Sequence, residues 1–496
     1  MKKISLLLAT ACLLTLGSCE DDLDQTPISN GSVPAFFKTA IDFEQAMNAV
    51  YSQLRGYPDR ILILSELRSD NIYGVSSQGV RDWDAINNFN TTLSVSPYMS
   101  DTWASDFGAI FRANTMLDQL SANGSVVGEG LRIRYEGEAR FLRAFHYFDL
   151  VRMFGRVPVI DKALLPQEVA KIPRGSVAEV YDLIIKDLEF AKDNLPLNYT
   201  GVNVGRVTSG AAKGLLALVY LTRSGPTYGI DGPGLASNEN DKALALLNEV
   251  IASNRYSLLP SYANVFSYTN ENNAEVVFDV QYIVGNGATH PGVMVPDNYF
   301  TSLGIPFGSR GVEIKPVSTD FLSILATNDD RRAASVQTGY LVAGVAENRT
   351  VLKKYVSAAG RGTGNTDWPI NFIVMRYADI LLMKAEAILR GGGGTPAEAL
   401  TIVNQIRTRS KLPALTGSVT MAQLMEERRR EFIGEGLRWH DLVRSGTVLT
   451  TMNAWIAKED ASGKIRRNIG PNDVIYAVPL NELSATPGLY DQNPGY

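Results

Sequence analysis

The sequence predicts a mainly α-helical fold in which helical hairpins stack into a scaffold carrying irregular loops and a few short strands. Three observations lead there. Long stretches repeat apolar residues at helical spacing behind capping residues, helix starts recur at a near-constant interval, and the segments between them are dense in Gly, Pro, Asn and aromatic residues. Of 496 residues, 45% are hydrophobic and 20% charged, the balance of a globular chain able to bury a large core.

Thr39 and Asp42 have capping-box spacing ahead of an amphipathic stretch reaching about Leu54. Two long helical patterns follow between about Ser100 and Phe154, broken near Asn123 to Gly130. Further helices open at Ser176, with Glu179 at the third position, at Thr208, with a run rich in small residues that permit close approach, and near Asn240. These starts lie about one tetratricopeptide period apart. Met375 to Arg390 is followed by a GGGG turn and a helix capped by Thr395, with Pro396 and Glu398 in its first turn, which makes a helix-turn-helix unit. Each such hairpin has a face that its neighbours must cover. Ala274 to Val284 has the β-branched and aromatic content of a strand, whereas Gly285 to Gly311 and Gly56 to Pro97 read as loops.

Composition excludes several function classes. A formal net charge of -5, more negative once Lys2 and Lys3 are removed, disfavours nucleic acid, which demands a basic surface. Both cysteines, Cys12 and Cys19, lie in the N-terminal segment, so the body can hold neither a disulfide framework nor a cysteine metal site. With three histidines and no H-E-x-x-H spacing, neither a metal site nor a cofactor is expected. No G-x-S-x-G elbow or Walker loop is present, and GRGTG at Gly360 to Gly364 lacks the lysine that a phosphate loop requires. Paired carboxylates for glycoside cleavage stay open, because their separation is a three-dimensional quantity.

The first 19 residues, MKKISLLLATACLLTLGSC, join two lysines to an apolar run too short to span a bilayer and end in small residues before Cys19, the anatomy of an export signal. Leu16-Gly17-Ser18-Cys19 resembles a bacterial lipobox, so residues 1–18 are expected to be a lipoprotein signal peptide and Cys19 the lipidated residue of a tether over 19–38. Several acyl chains hold a soluble body on a membrane where one does not.

The blocks LDQTPISNGSVPAFFKTAIDFEQAMNAVYSQL, EARFLRAFHYFDLVRMFGRVPVI and GRVTSGAAKGLLALVYLTRSG resemble successive N-terminal blocks of the SusD/RagB lipoprotein family. AEVVFDVQYI, VMRYADILLMKAEAI, MEERRREFIGEGLRWHDLVRSG, YAVPLNEL and the closing QNPGY resemble its later blocks, in the same order. The resemblance implies one SusD-like domain over 39–496, with an N-terminal part to about 270 and a C-terminal part over 271–496, built on four tetratricopeptide-like hairpins. It also implies a non-catalytic, lipid-anchored, surface-exposed outer-membrane protein that captures oligosaccharides for a SusC-like TonB-dependent transporter. Peptide uptake, as in RagB-type relatives, and a surface glycoside hydrolase are the alternatives. The acidic run Glu20, Asp21, Asp22 and Asp24 resembles the export tag with which Bacteroidetes send lipoproteins to the cell exterior.

Charged groups around Tyr377 to Asp379 and Glu426 to Phe432 alternate with apolar ones, as expected of ion pairs that orient packed helices. His146, His440 and the helical stripe Trp103, Phe107, Ile110 and Phe111 read as core. Ligand candidates therefore lie in loops. A sugar offers C–H groups on its face and hydroxyls at its edge, so a site for it pairs an exposed aromatic ring with polar neighbours. Asn71, Tyr73, Trp83 and Asn87 form one such cluster, Arg361 and Trp368 with Asn365 and Asp367 a second, and Tyr282, Tyr299 and Phe300 a third.

Overall fold

The computed structural model describes residues 36–76, 79–305, 313–362, 367–460, 465 and 468–496. The export segment, Cys19, the acidic run and Asn365 lie outside these residues.

Numbering the longer helices, α1 is Ala40–Tyr51, α2 Pro97–Asn123, α3 Glu129–Phe154, α4 Val177–Asn194, α5 Ser209–Arg223 and α6 Asn240–Ala252. After the β-containing middle of the chain come α7 (Tyr377–Leu389), α8 (Pro396–Arg409), α9 (Met421–Glu431), α10 (Arg438–Ser445) and α11 (Val448–Glu459). Four of the predicted starts are fixed by local caps, and the one at Asn240 forms without a side-chain cap. The hydroxyls of Thr39, Ser176, Thr208 and Thr395 accept a backbone N–H of the first turn, and Asp42 and Glu179 reach back to the cap amides. Each cap is worth about 1 kcal/mol.

From α2 to α8 every helix packs on the next, so the chain winds as one stack of antiparallel pairs although about 120 residues separate α6 from α7 in sequence. This is a mainly α, tetratricopeptide-like scaffold. Gly155, at φ +66° after α3, makes a tight corner, and a Cβ there would sit 1.8 Å from the carbonyl oxygen of Asp231. Both backbone strain and collision follow from adding a methyl group. Gly155→Ala is expected to lose at least about 1–3 kcal/mol, read as a lower urea midpoint with an unchanged slope.

Strand β1 (Val276–Val280), inside the predicted strand segment, pairs antiparallel with β4 (Phe372–Arg376), while β2 (Val336–Val342) and β3 (Val345–Leu352) form a hairpin. The segment 56–97 departs from its reading as loop. Its first part is helical, over Tyr57–Ile61 and Leu62–Leu67, and Leu62 to Leu67 are all buried. Charged residues buried there have distant partners: Glu66 accepts from the amides of Gly434 and Gly436, and Arg68 donates to the Asp473 carbonyl while its guanidinium lies over Phe89 and Tyr476.

The expected ion pairs are present as buried clusters. Arg376, 1% exposed, donates to Glu275 (2.8 Å), Glu431 (2.5 Å) and Glu435 (2.8 Å), joining β4 to α9 and the turn after it. Arg428 spans Asp379 on α7 and Asp441 on α10, and Arg444 holds Glu386 through two bonds of 2.9 Å. His146 is buried with Nδ1 2.9 Å from Asp106, and His440 is buried beside Trp439. The α2 stripe is core only in part. Trp103 and Ile110 are buried, but Phe107 is half-buried and Phe111 is 51% exposed, because the long helix turns this face toward a groove shared with Leu164 and Tyr490.

Candidate functional site

Most of the aromatic residues selected from the loops are walls of the fold, which corrects the expectation that they offer exposed faces. Trp83 is 3% exposed and packs against Gly74, where a Cβ would come within 2.1 Å of its ring, with the Lys315 ammonium 5.4 Å from the ring centre. Asn87 is spent on the same loop, accepting the Gly74 amide at 2.7 Å and donating to Asn88. Asn71 is buried between Glu66 and the Arg429 guanidinium. Trp368 is 1% exposed, packed on Phe300 and bridged through its backbone to Ala288; Asp367 beside it accepts the amides of Gly285 and Gly287. Tyr282 is buried with its hydroxyl on the Arg55 carbonyl, and Tyr299 is buried too. In each case the ring is covered by segments remote in sequence. Arg361 is half-buried at the edge of the loop that carries Asp367.

Tyr73 keeps part of its surface. The structure brings it together with residues of the β2–β3 hairpin. The Tyr73 amide donates to the Pro316 carbonyl at 3.2 Å and the Val317 amide to the Thr350 carbonyl of β3 at 2.8 Å, next to Arg349. Burial pushes the phenols of Tyr73 and Tyr340 above their ordinary value. For Tyr73 the nearby Arg349 opposes that rise and Glu459 adds to it. Arg349 grips Glu347 with two parallel bonds of 2.8 and 2.7 Å, which holds the Glu347 carboxyl below its ordinary value and leaves the guanidinium 44% exposed. Tyr340 donates to Asn298 at 2.7 Å, and its ring meets that of Tyr299 edge-on at 5.1 Å. Buried Tyr299 thus braces Tyr340.

The result is a face of two half-buried tyrosine rings beside the exposed Arg349 guanidinium, its half-buried partner Glu347 and the half-buried Asn298 amide. Its rings suit the apolar face of a polyhydroxylated ligand, and its paired charges both donate and accept without a net charge of their own. Sequence reasoning found Tyr73 and Tyr299 and missed Tyr340, Glu347, Arg349 and Asn298. The signal was weak: the hairpin turns at Ala343-Gly344, both at positive φ, but its flanks carry consecutive apolar residues (Tyr340-Leu341-Val342, Val345-Ala346) instead of a period of two.

Comparison with known proteins accords with this architecture. Residues 318–496 match the family described as the SusD family, and residues 23–221 match the family described as starch-binding, associating with outer membrane. SusD-like protein P38 of Formosa agariphila is 29% identical, with 91% of this chain and 94% of that protein covered. Among solved structures, surface glycan-binding protein A from Bacteroides uniformis superposes with a TM-score of 0.78 at 27% identity, covering 92% of this chain and 100% of that one. A laminarin-binding SusD-like protein superposes with a TM-score of 0.73, also at 27% identity and with the same coverage. Matched in both halves by family descriptions and along nearly its whole length by relatives, the chain belongs to the SusD/RagB family.

Proposed function

We propose that this protein captures glycans at the cell surface without cleaving them and passes them to a SusC-like TonB-dependent transporter in the outer membrane. The observation that carries the reading is the Tyr73, Arg349 and Tyr340 face, rings beside a charge-balanced polar edge on a rigid helical stack. Relatives described as glycan-binding and laminarin-binding share the scaffold. Residues 39–496 act in this reading as one domain, acylated Cys19 anchors it, and Glu20 to Asp24 direct it outward. Of the loop residues selected from sequence, Tyr73 contacts the ligand in this reading and Tyr299 braces Tyr340, while Asn71, Trp83, Asn87, Tyr282 and Trp368 are buried parts of the fold and Arg361 is half-buried.

Isothermal titration of the chain lacking residues 1–19 against a panel of neutral oligosaccharides, with chromatography of the ligand after long incubation, tests this. Saturable binding with intact ligand is expected. Binding of peptides alone would move the assignment to peptide uptake, and released sugar products would make the protein a glycosidase.

A further inference from the structure

We propose that the cavity between α9 and α11, lined at one end by Lys458, is a second subsite for a neutral sugar, so that the protein grips a chain at two points. The inference rests on the glycan-binding reading.

The cavity measures about 330 Å³, at the lower end of the roughly 300–1,000 Å³ typical of small-molecule sites. Asp320, Arg429 and Lys458 form one wall, Thr447 and Thr451 line α11 and the turn before it, and Trp455 lies on the inner side. Several ion pairs among the described residues are buried between packed elements. This one faces open space, with the Lys458 side chain 60% exposed and that of Asp320 28% exposed. Asp320 accepts from Arg429 at 2.8 Å and from Lys458 at 3.0 Å, and these two cations hold its carboxyl below the ordinary value against the opposing effect of burial.

Charge balance selects the ligand class. Over the whole lining, Asp70, Asp320 and Glu426 offset Arg429, Arg438 and Lys458. An acidic sugar or a phosphate gains nothing from such a wall, because each cation already has a carboxylate that would repel the newcomer. A hydroxyl both donates and accepts, so adjacent hydroxyls can join an existing carboxylate–ammonium pair without changing its charge. Trp455 lines the cavity from a buried position, so apolar contact for ring C–H groups comes from the exposed methyl groups of Ala422 and Ala454.

Position links the cavity to the tyrosine face. Lys458 lines the cavity, its neighbour Glu459 accepts from the Thr319 hydroxyl, and the segment just before Thr319 accepts the Tyr73 amide at the Pro316 carbonyl (3.2 Å). The two sites are therefore linked through these few residues. A saccharide reaching from one to the other gains the effective-concentration advantage of a tethered second contact, and a disaccharide does not.

The test uses the full chain, purified in detergent and labelled with fluorotryptophan, with the Trp455 resonance assigned from Trp455→Phe among the five tryptophans. Laminarihexaose and laminaribiose are the probes, backed by a panel of other neutral hexasaccharides. The proposal expects a saturable shift of the Trp455 resonance with a bound hexasaccharide. It expects Thr451→Trp, which fills the cavity from a half-exposed position, to weaken that hexasaccharide about tenfold while disaccharide affinity stays within twofold. In Tyr73→Ala the Trp455 resonance still shifts, at higher ligand concentration. A hexasaccharide that binds, loses affinity in Tyr73→Ala, ignores Thr451→Trp and leaves Trp455 unmoved overturns the second subsite and keeps the glycan reading. Silence of every resonance across the neutral panel overturns both.

Discussion

Arg376→Ala is expected to destabilise the protein by about 3–5 kcal/mol, the usual cost of removing one partner from a buried ionic cluster. The reason lies in what stays behind. Glu275, Glu431 and Glu435 are each under 5% exposed and converge on this guanidinium, so its removal strands carboxylates in a medium where they cannot rehydrate. Arg409 still reaches Glu275 and Glu431, and Lys354 still reaches Glu435, which keeps the loss within that range. Because β4 and α9 are both held there, the effect should appear as a lower midpoint in urea unfolding with an unchanged slope.

The same clusters set the response to acid. Burial pushes the Asp70 carboxyl up, but Arg429 and Arg438 outweigh it and hold the group at about 2, below its ordinary 3.8. Glu386 is likewise held at about 2 by Arg390 and Arg444 against burial. On acidification the unfolded chain takes up these protons first, so the stability contributed is fully present above about pH 5 and is lost as pH falls through about 2. Urea midpoints measured from pH 6 down to pH 2 should fall progressively. A flat profile would mean that these pairs do not stabilise the fold.

The second large effect concerns binding. Tyr340→Ala removes a ring braced by Tyr299 and the hydroxyl that engages Asn298, and is expected to weaken glycan affinity about tenfold, near 1.4 kcal/mol. Tyr73→Ala should cost a similar factor. The double variant should fall short of, or exceed, the hundredfold product, because both rings neighbour Arg349 and residues with a shared partner couple. Thermal unfolding should shift little in either single variant, since both side chains are half-exposed.

Helix starts were legible because a cap is a contact between residues three apart: Thr39 with Asp42, Ser176 with Glu179 and Thr395 with Glu398. The hairpin stack was legible from its period and from apolar stripes that need a neighbour. The site was legible only in part. Composition alone cannot tell an exposed ring from a buried one, and Trp83 and Trp368 are buried by Gly74, Lys315, Phe300 and Ala288, partners up to about 230 residues away. Polar neighbours misled for the same reason, since Asn71 and Asn87 satisfy buried backbone and charged groups rather than solvent or ligand. Phe111 misled in the opposite direction. Helical spacing put it in the core, and the groove beside α2 leaves it open.

A crystal structure of the chain with a neutral oligosaccharide bound tests the central claim most directly. The account predicts density for an intact saccharide lying on Tyr73 and Tyr340, with hydroxyls in hydrogen-bond range of Arg349, Glu347 or Asn298. Ligand bound at full occupancy elsewhere, with these side chains untouched, would contradict it.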